Sequence, residues 1–352
     1  MPIDQKILDT FLGQAVSDLA AGYGGVMISL GHRLGLYKAM AGAGPLNSQE
    51  VAQRAGCSER YVREWLNSQA AGGYVKYHAG SETYELPPEQ AFVLADEESP
   101  LFLPPAWNVP ASMWFDEEKV ARAIRTGEGL AWRDHHGRLS CGVAAFYRNC
   151  YRGSLLQQWL PALPGVIEKL ENGAKVADVG CGHGHSTLLM AAAFPHSRFW
   201  GYDNHEESVV EARENARRSN AGSSVTFEIA TARSYSSHGF DLICFFDCLH
   251  DMGDPVAAAE HAREALAQDG TVMLVEPFAG DRVEENLTPI GRLYYAASTA
   301  ICCPHSLSED GKMALGAQAG EARLRAIFHK AGFRTFRRAT QTPFNLVLEA
   351  KV

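Results

Sequence analysis

A carboxylate and a glycine-rich loop stand together in the segment Val176-Ala-Asp-Val-Gly-Cys-Gly-His-Gly-His-Ser-Thr187. The loop glycines (180, 182 and 184) carry no Cβ, so the backbone can turn tightly and approach a ligand closely. Asp178 precedes the first of them by two residues, and its charge suits a cationic ligand better than a pyrophosphate. A second acid, Asp203, follows the last glycine by nineteen residues, where a carboxylate can accept both hydroxyls of a ribose. This spacing predicts a site for a nucleoside-like ligand that carries positive charge.

A second group of titratable residues occurs in Phe246-Asp-Cys-Leu-His-Asp-Met-Gly-Asp254. Asp247, His250 and Asp251 follow a predicted strand, and ligands bind at the carboxyl ends of the strands in parallel sheets. A histidine near its free pKa of about 6.5 is suited to proton transfer near neutral pH. An adjacent carboxylate can hold its tautomer and stabilise the imidazolium. The structural alternative is that His250 only ties the strand end to the next helix.

The elements that position these residues alternate between strand and helix. Short apolar runs bounded by turn residues predict strands, and the longer segments between them predict helices. The predicted strands are 176–179, 197–203, 225–230, 240–247, 271–276, 333–338 and 344–350. The last two are separated by so few residues that they must form an antiparallel hairpin, because a parallel crossover needs a dozen or more. The pattern therefore predicts an α/β fold with a mostly parallel sheet.

Both halves of the glycine-loop signature have a structural alternative. A glycine-rich turn can exist without any ligand. Asp203 can instead be the N-cap of the helix that is predicted to begin near Glu206. The nucleoside interpretation is favoured because the loop and the acid occur in register.

The D-x-G-x-G-x-G pattern from Asp178 to Gly184, together with the C-terminal hairpin, resembles the class I S-adenosylmethionine (SAM) methyltransferases, over about residues 170–352. The resemblance implies a Rossmann-like seven-stranded sheet and SAM as the cofactor. An acid that usually contacts adenine is replaced here by Ala230-Thr-Ala-Arg-Ser234, so Thr231 is the expected substitute. Tyr151 is expected to reach the cofactor, although it can equally pack in the core. The predicted cofactor-binding residues are Asp178, Gly180, Gly182, Gly184, Asp203, Asn204, Thr231, Ala232, Asp247 and Tyr151.

The first part of the chain predicts an apolar helical arm over 4–40 and then helix, turn, helix and β-hairpin over 41–90. This order resembles a winged helix, a fold that often binds DNA through its second helix. Residues 1–100 contain 7 Lys or Arg against 12 Asp or Glu, whereas a surface facing phosphates should be basic. We therefore expect a domain used for dimerisation over 1–95. A SAM-sensing DNA-binding regulator is the alternative.

A winged helix before such a sheet resembles two groups, bacterial methyltransferases of largely unassigned substrate and the caffeic-acid-type small-molecule O-methyltransferases. In the second group a His-Asp pair after the fourth strand supplies the catalytic base, and His250 matches that histidine. Glu276 and Glu321 match two glutamates that flank it, although Glu321 can also be a helix N-terminal acid. The substrate-clamping residues of that group are not recognisable, so its phenolic substrates do not carry over.

Two segments are expected to cover the site. Residues 96–170 predict a helical linker or cap, in which His135 and His136 are candidate pocket residues. The insertion at 277–319 contains an apolar helix that is expected to end before Pro304 and to roof the acceptor site. Cys302, Cys303 and His305 suggest a metal at first sight, but adjacent cysteines cannot easily bind one tetrahedral ion, so no metal is predicted.

Composition sets the remaining expectations. The chain has 352 residues and a net charge of −9, which argues against nucleic acid as a partner. No apolar run reaches membrane-spanning length, and the first residues carry no signal-peptide pattern. Eight scattered cysteines fit a reducing cytoplasm. We therefore expect a cytoplasmic, homodimeric, SAM-dependent methyltransferase with its catalytic domain over 171–352, acting on a small molecule. A hydroxyl acceptor is favoured, and N- or C-methylation is the alternative.

Overall fold

The computed structural model describes residues 3–219 and 224–352; residues 1 and 2 of the expected N-terminal domain and 220–223 lie outside the described residues. The chain separates into two compact units. One contains the residues up to 111 together with 141–149, and the other contains 112–140 and 150–352. The residues expected to form a separate helical cap, 96–170, are thus divided between the two units. Within the described residues no helix is both long and apolar enough to span a bilayer.

The N-terminal unit has the predicted winged-helix order. Local sequence signals define both ends of the helix Ser48–Ala55. Asn47 and Glu50 form a reciprocal capping box at the start of this helix, and Gly56 ends it in a left-handed conformation. A two-stranded antiparallel hairpin follows. The elements are α1 (Gln5–Arg33), α2 (Leu36–Met40), α3 (Ser48–Ala55), α4 (Glu59–Ala71), β1 (Lys76–His78), β2 (Thr83–Glu85) and α5 (Pro88–Leu94).

Two long helices contribute residues to both units. They are α6 (Asn108–Thr126) and α7 (Arg138–Cys150). A π-helical stretch, Tyr151–Trp159, continues directly from α7. The chain therefore stays helical from Arg138 to Trp159, but the second part has the wider π geometry, which is often found near functional sites.

The C-terminal unit contains the predicted seven-stranded sheet, in the order β5-β4-β3-β6-β7-β9-β8. Five strands are parallel, and β9 runs antiparallel to both of its neighbours. The predicted fold class, including the closing hairpin, is confirmed. The strands are β3 (Lys175–Val179), β4 (Arg198–Asp203), β5 (Val225–Ile229), β6 (Phe240–Phe246), β7 (Leu266–Pro277), β8 (Thr335–Gln341) and β9 (Asn345–Lys351).

Helices accompany this sheet in the chain order expected of an α/β fold. They are α8 (Val166–Asn172), α9 (His185–Ala193), α10 (Glu206–Arg218), α11 (Pro255–Ala265), α12 (Pro289–Ala297), α13 (Cys303–Ser308) and α14 (Glu321–Lys330).

The centre of the sheet is buried on both faces. Every residue of β6 except Asp241 is buried, and every residue of β3 except Lys175. Such continuous apolar runs are typical of parallel strands that are covered on both sides. The strand order changes direction between β3 and β6. This is the point at which ligands bind in open α/β sheets, just beyond the carboxyl ends of the strands.

One predicted helix end is wrong. The apolar helix of the insertion was expected to stop before Pro304, but it runs from α12 through a π-helical turn, Ser298–Cys302, into α13. Pro304 is the second residue of α13. Proline lacks the N–H that an unbroken α-helix would use here, and the π-helical turn directly before it already departs from the α-helical hydrogen-bond pattern.

Candidate active site

Four neighbouring strands carry a carboxylate at the same edge of the sheet. Asp178 is next to last in β3, Asp203 is last in β4, Asp247 directly follows β6, and Glu276 is next to last in β7. The four strands are parallel, so their carboxyl ends meet at this edge. The edge therefore concentrates negative charge where a ligand would bind, which favours a cation.

The glycine loop has the geometry that its sequence predicts. All three glycines have positive φ, with Gly180 at 77°, Gly182 at 51° and Gly184 at 75°. A Cβ on Gly184 would lie 2.4 Å from the ring of Phe227, whereas a Cβ on Gly182 would meet nothing within 4 Å. Gly184 is therefore needed for packing against Phe227. The space beside Gly182 is open to a ligand.

Asp178 is fully buried and only half satisfied. Its Oδ2 accepts hydrogen bonds from the hydroxyls of Ser186 and Thr187, both at 2.6 Å. Its Oδ1 is buried and has no hydrogen-bond partner among the described residues. Burial raises the pKa of Asp178 from 3.8 to about 6, against the lowering effect of the two hydroxyls. An acceptor atom of this kind fits a ligand that brings a cationic donor.

Asp203 holds the glycine loop and does not cap the next helix. Its Oδ2 accepts from the N–H of Gly182 at 2.8 Å, and its Oδ1 accepts from the N–H of His205 at 2.9 Å. The N-cap position of α10 belongs to His205. Burial raises the pKa of Asp203, against those two hydrogen bonds. Each oxygen keeps a second lone pair that a ribose hydroxyl can use.

Asp247 and Tyr151 lie close to this edge. Asp247 has a φ of 54°, a conformation that costs of order 1 kcal/mol or more in a residue other than glycine and is concentrated at functional sites. The ring centroid of Tyr151 is 5.3 Å from that of Phe246, the last residue of β6. Burial and then the charges of Asp178 and Asp247 raise the pKa of Tyr151, so this side chain lies near both acids.

The other expected cofactor residues have local partners. The side-chain amide of Asn204 donates to Glu309 Oε1 at 3.0 Å. The hydroxyl of Thr231 is exposed and 2.8 Å from that of Ser234. Ala232 is half buried and packs against the main core. These contacts leave the adenine-binding role of the 230–234 turn as a prediction.

His250 is clamped between two carboxylates. It lies in a 3₁₀ turn, Leu249–Asp251, and is 2% exposed. Its Nδ1 is 2.5 Å from Glu276 Oε2, and its Nε2 is 3.1 Å from Asp251 Oδ1. Glu276 is itself fixed, since its Oε1 accepts from the N–H of Leu249 at 3.0 Å. The sequence pairing of His250 with Glu276 is thus reproduced by the geometry.

The protonation of His250 differs from the expectation. Burial alone would lower its pKa, but the charges of Asp251 and Glu276 outweigh burial and hold the pKa well above 6.5. The assumption that this ring titrates near its free value is therefore wrong. The two carboxylates, one at each ring nitrogen, favour the imidazolium form of this ring.

Glu321 pairs with arginines, and the described residues show no contact between it and His250. It is the first residue of α14, and its carboxylate pairs with Arg325 and with Arg338, the latter at 2.8 Å. The second carboxylate at the histidine is Asp251. The sequence alone could not show which residue contacts His250, because the ion pairs of Glu321 with Arg325 and Arg338 depend on the three-dimensional fold.

Cys302 lies beside the histidine, but its neighbours in sequence do not. Ligand atoms of His250, Asp251 and Cys302 lie within 4.8 Å of one another, close enough to reach a common ion. Cys303 Sγ instead contacts the hydroxyl of Ser298 at 3.5 Å. The Cys302, Cys303 and His305 grouping that sequence suggested is therefore not a single cluster.

Sequence reasoning missed the residues that support Asp178. Ser186 and Thr187 are buried in the first turn of α9, where hydroxyl side chains satisfy a buried acid. Their position directly after the glycine loop was the available signal, since an acid buried in β3 needs nearby donors.

Comparisons with known proteins agree with this architecture. Residues 22–96 match the family model described as Rv2258c-like winged HTH domain, and residues 170–332 match the one described as methyltransferase domain. These matches confirm the predicted combination of a winged helix followed by a methyltransferase domain.

Individual relatives are more distant. The trans-aconitate 2-methyltransferase of Streptomyces avermitilis is 30% identical over 116 residues, which cover 33% of this chain and 43% of that protein. The chain matches less than half the length of the curated relatives it resembles.

Two solved structures share the fold over nearly the whole chain. Human N-acetylserotonin methyltransferase, solved in complex with SAM, has a TM-score of 0.70 and 15% identity and covers 97% of each chain. The mitomycin 7-O-methyltransferase MmcR has a TM-score of 0.66 and 19% identity, covering 99% of this chain and 100% of that one. The resemblance to a methyltransferase with an N-terminal winged helix therefore holds for the fold as well.

Proposed function

We propose that this chain, in which a winged-helix domain is followed by a methyltransferase domain, moves the methyl group of SAM to a hydroxyl oxygen of a small molecule. The observation that supports this most strongly is the position of the His250–Glu276 pair at the same sheet edge as the glycine loop. SAM, when bound, supplies an activated methyl group on a sulfonium cation. The chain must then bind it, orient the acceptor in line with the S–CH3 bond, and remove a proton.

The residues around the glycine loop suit this cofactor. Asp178 Oδ1 is a buried acceptor without a partner among the described residues, and SAM brings an ammonium and a sulfonium. Asp203 retains lone pairs for the ribose hydroxyls. The open space beside Gly182 admits the cofactor close to the backbone.

His250 is the group that receives the acceptor's proton. Glu276 accepts from Nδ1–H, which fixes the tautomer and leaves Nε2 to take a proton from the acceptor hydroxyl. Asp251 stabilises the imidazolium that results. The same two carboxylates raise the pKa of the ring, so its Nε2 proton must first pass to solvent before that nitrogen can take the proton of the acceptor hydroxyl. His250, Glu276 and Asp251 thus form the proposed catalytic set, and Glu321 is left out of it.

The winged helix is assigned to assembly and not to DNA. On α4 the guanidinium of Arg60 pairs with Glu64 at 2.6 Å, and that of Arg63 pairs with Glu59 at 2.7 Å. The two cations that would meet phosphates are thus already neutralised within the helix. This supports a small-molecule enzyme over a DNA-binding regulator.

The proposed assembly is a homodimer formed through α1. Phe11 and Leu19 are each 64% exposed, and Tyr23 is 71% exposed. A run of exposed apolar side chains along 29 residues of helix is much larger than the apolar patches that monomers usually present. The eight cysteines are free throughout the described chain, which fits the expected cytoplasmic location.

The reaction is tested by incubating the protein with methyl-labelled SAM and a metabolite extract. We expect one or more labelled products whose fragmentation places the methyl on oxygen. Methyl groups found only on nitrogen or carbon would contradict the proposed acceptor. Absence of any SAM-dependent product, with S-adenosylhomocysteine (SAH) also failing to bind, would contradict the proposed cofactor.

A further inference from the structure

A second histidine–carboxylate pair lies apart from His250. Asp116, on α6, is 1% exposed, and the side chain of His135 is 3% exposed. Asp116 Oδ2 is 3.1 Å from His135 Nδ1 and accepts from the N–H of His136 at 2.8 Å. Its Oδ1 accepts from Lys119 Nζ at 2.8 Å. The acid is therefore held rigidly by several donors, and it holds the ring in turn.

These partners fix which ring nitrogen of His135 carries the proton. An ionised carboxylate only accepts hydrogen bonds, so Nδ1 must be protonated. Burial lowers the pKa of His135, although Asp116 opposes this, so the ring is neutral near pH 7. Nε2 is then a bare acceptor. It is buried and has no hydrogen-bond partner among the described residues, a situation that proteins normally avoid because it costs free energy.

Helix α13 connects this pair to the proposed transfer site. On the side of His135, the N–H of Leu130 donates to the carbonyl of Pro304 at 2.8 Å, and the N–H of Trp132 donates to His305 Nδ1 at 3.2 Å. The loop that carries His135 is thus fastened to α13.

The other side of α13 contacts the turn that follows β6. The hydroxyl of Ser306 donates to the carbonyl of Met252 at 2.8 Å. His305 is close enough for its charge to affect the pKa values of His135, Asp251 and Asp203. The unsatisfied nitrogen therefore belongs to the same end of the domain as the proposed catalytic set.

We propose that the Asp116–His135 pair binds the acceptor molecule, with His135 Nε2 accepting a hydrogen bond from an O–H or N–H group that is not the one methylated. This deepens the proposed function, because it requires a small-molecule acceptor. The acceptor then belongs to the class of small molecules that carry at least two O–H or N–H groups, of which one is methylated and another binds His135 Nε2. A compound without the second donor leaves Nε2 unsatisfied and is discriminated against for that reason.

Phenol and anisole form a matched pair of probes, because they share the ring but only phenol has a donor. Ligand-observed NMR titrations of the full-length protein with SAH present give the affinity of each. We expect phenol to bind about tenfold or more tightly than anisole, and the preference to depend on the variant at 135.

Two substitutions separate the two nitrogens. His135→Asn keeps a donor near the Nδ1 position for Asp116 but removes the acceptor at Nε2. His135→Gln places an amide oxygen near Nε2 and gives up the Asp116 contact. We expect phenol to keep its higher affinity over anisole in His135→Gln and in the control His136→Asn. In His135→Asn we expect phenol and anisole to bind with equal affinity.

A role in folding alone gives the opposite result. If His135 only supports Asp116, His135→Asn keeps the wild-type behaviour and His135→Gln does not. That pattern, or equal affinities of phenol and anisole for the wild-type protein, would overturn the proposal. The titrations need no methyl transfer, so they stand or fall separately from the role of His250.

Discussion

The ionisation of Asp178 should control both the stability of the free protein and its affinity for the cofactor. Its pKa is raised from 3.8 to about 6 by burial. A group whose pKa is raised on folding contributes stability below its unfolded pKa and loses it as pH rises through the folded value. The free protein should therefore lose about 3 kcal/mol between pH 4 and 7, at about 1.36 kcal/mol for each pH unit of difference.

Replacing Asp178 by Asn removes this cost while keeping an oxygen for the hydroxyls of Ser186 and Thr187. We expect Asp178→Asn to be more stable than wild type at pH 7.5, by up to about 3 kcal/mol. Lost hydrogen bonds to a charged acceptor reduce that gain. Below about pH 3 the two proteins should be similar, because the wild-type carboxyl is then neutral in both states. Urea unfolding at a series of pH values measures the difference.

Cofactor affinity should change in the opposite direction. A cationic donor on the ligand favours ionised Asp178, so SAH affinity should rise about tenfold per pH unit up to pH 6 and then level off. Asp178→Asn should lose this dependence and bind SAH roughly 10- to 100-fold more weakly at pH 7.5, as expected for a charged hydrogen bond. Calorimetry measures both effects. A variant that is less stable than wild type at pH 7.5 and binds SAH equally well would refute the reasoning.

Three further predictions follow from the same structure. Asp203→Ala should weaken SAH binding by at least tenfold, or about 1.4 kcal/mol, in calorimetry; unchanged affinity would remove Asp203 from the site. Gly184→Ala should destabilise the fold, since its Cβ would lie 2.4 Å from Phe227. Gly182→Ala should destabilise the fold less, by the roughly 1 kcal/mol that a positive φ costs a residue with a Cβ, and should lose SAH affinity. A larger loss of stability than in Gly184→Ala, with SAH affinity kept, would contradict the proposed role of Gly182. Phe11→Glu on α1 should shift the protein from dimer to monomer in light scattering, whereas a wild-type monomer in dilute solution would contradict the proposed assembly.

The sheet could be predicted from sequence because its signals are local. Apolar runs such as β6 must be buried, and a hairpin as short as β8–β9 must be antiparallel. The positions of Asp178, Asp203 and His250 at strand ends follow from the same topology.

Details of the site depend on contacts between residues that are distant in sequence. Glu321 was expected to contact His250, but it forms an ion pair with Arg338, which lies on β8. The pKa of His250 depends on how closely Asp251 and Glu276 approach its two nitrogens, which spacing does not give. The pairing of Asp116 with His135 is of the same kind, because it needs a loop to fold back onto α6.

The role of His250 as base is tested most directly by the catalytic rate of His250→Gln, measured with the acceptor that the labelling experiment identifies. Glutamine can hydrogen-bond but cannot take a proton at neutral pH. We expect unchanged SAH affinity, a native circular dichroism spectrum, and a loss of roughly 10²- to 10⁴-fold in kcat. The wild-type rate should rise with pH on the alkaline side of neutrality, because the pKa of His250 is held above 6.5. A folded variant with near-normal kcat would contradict the account.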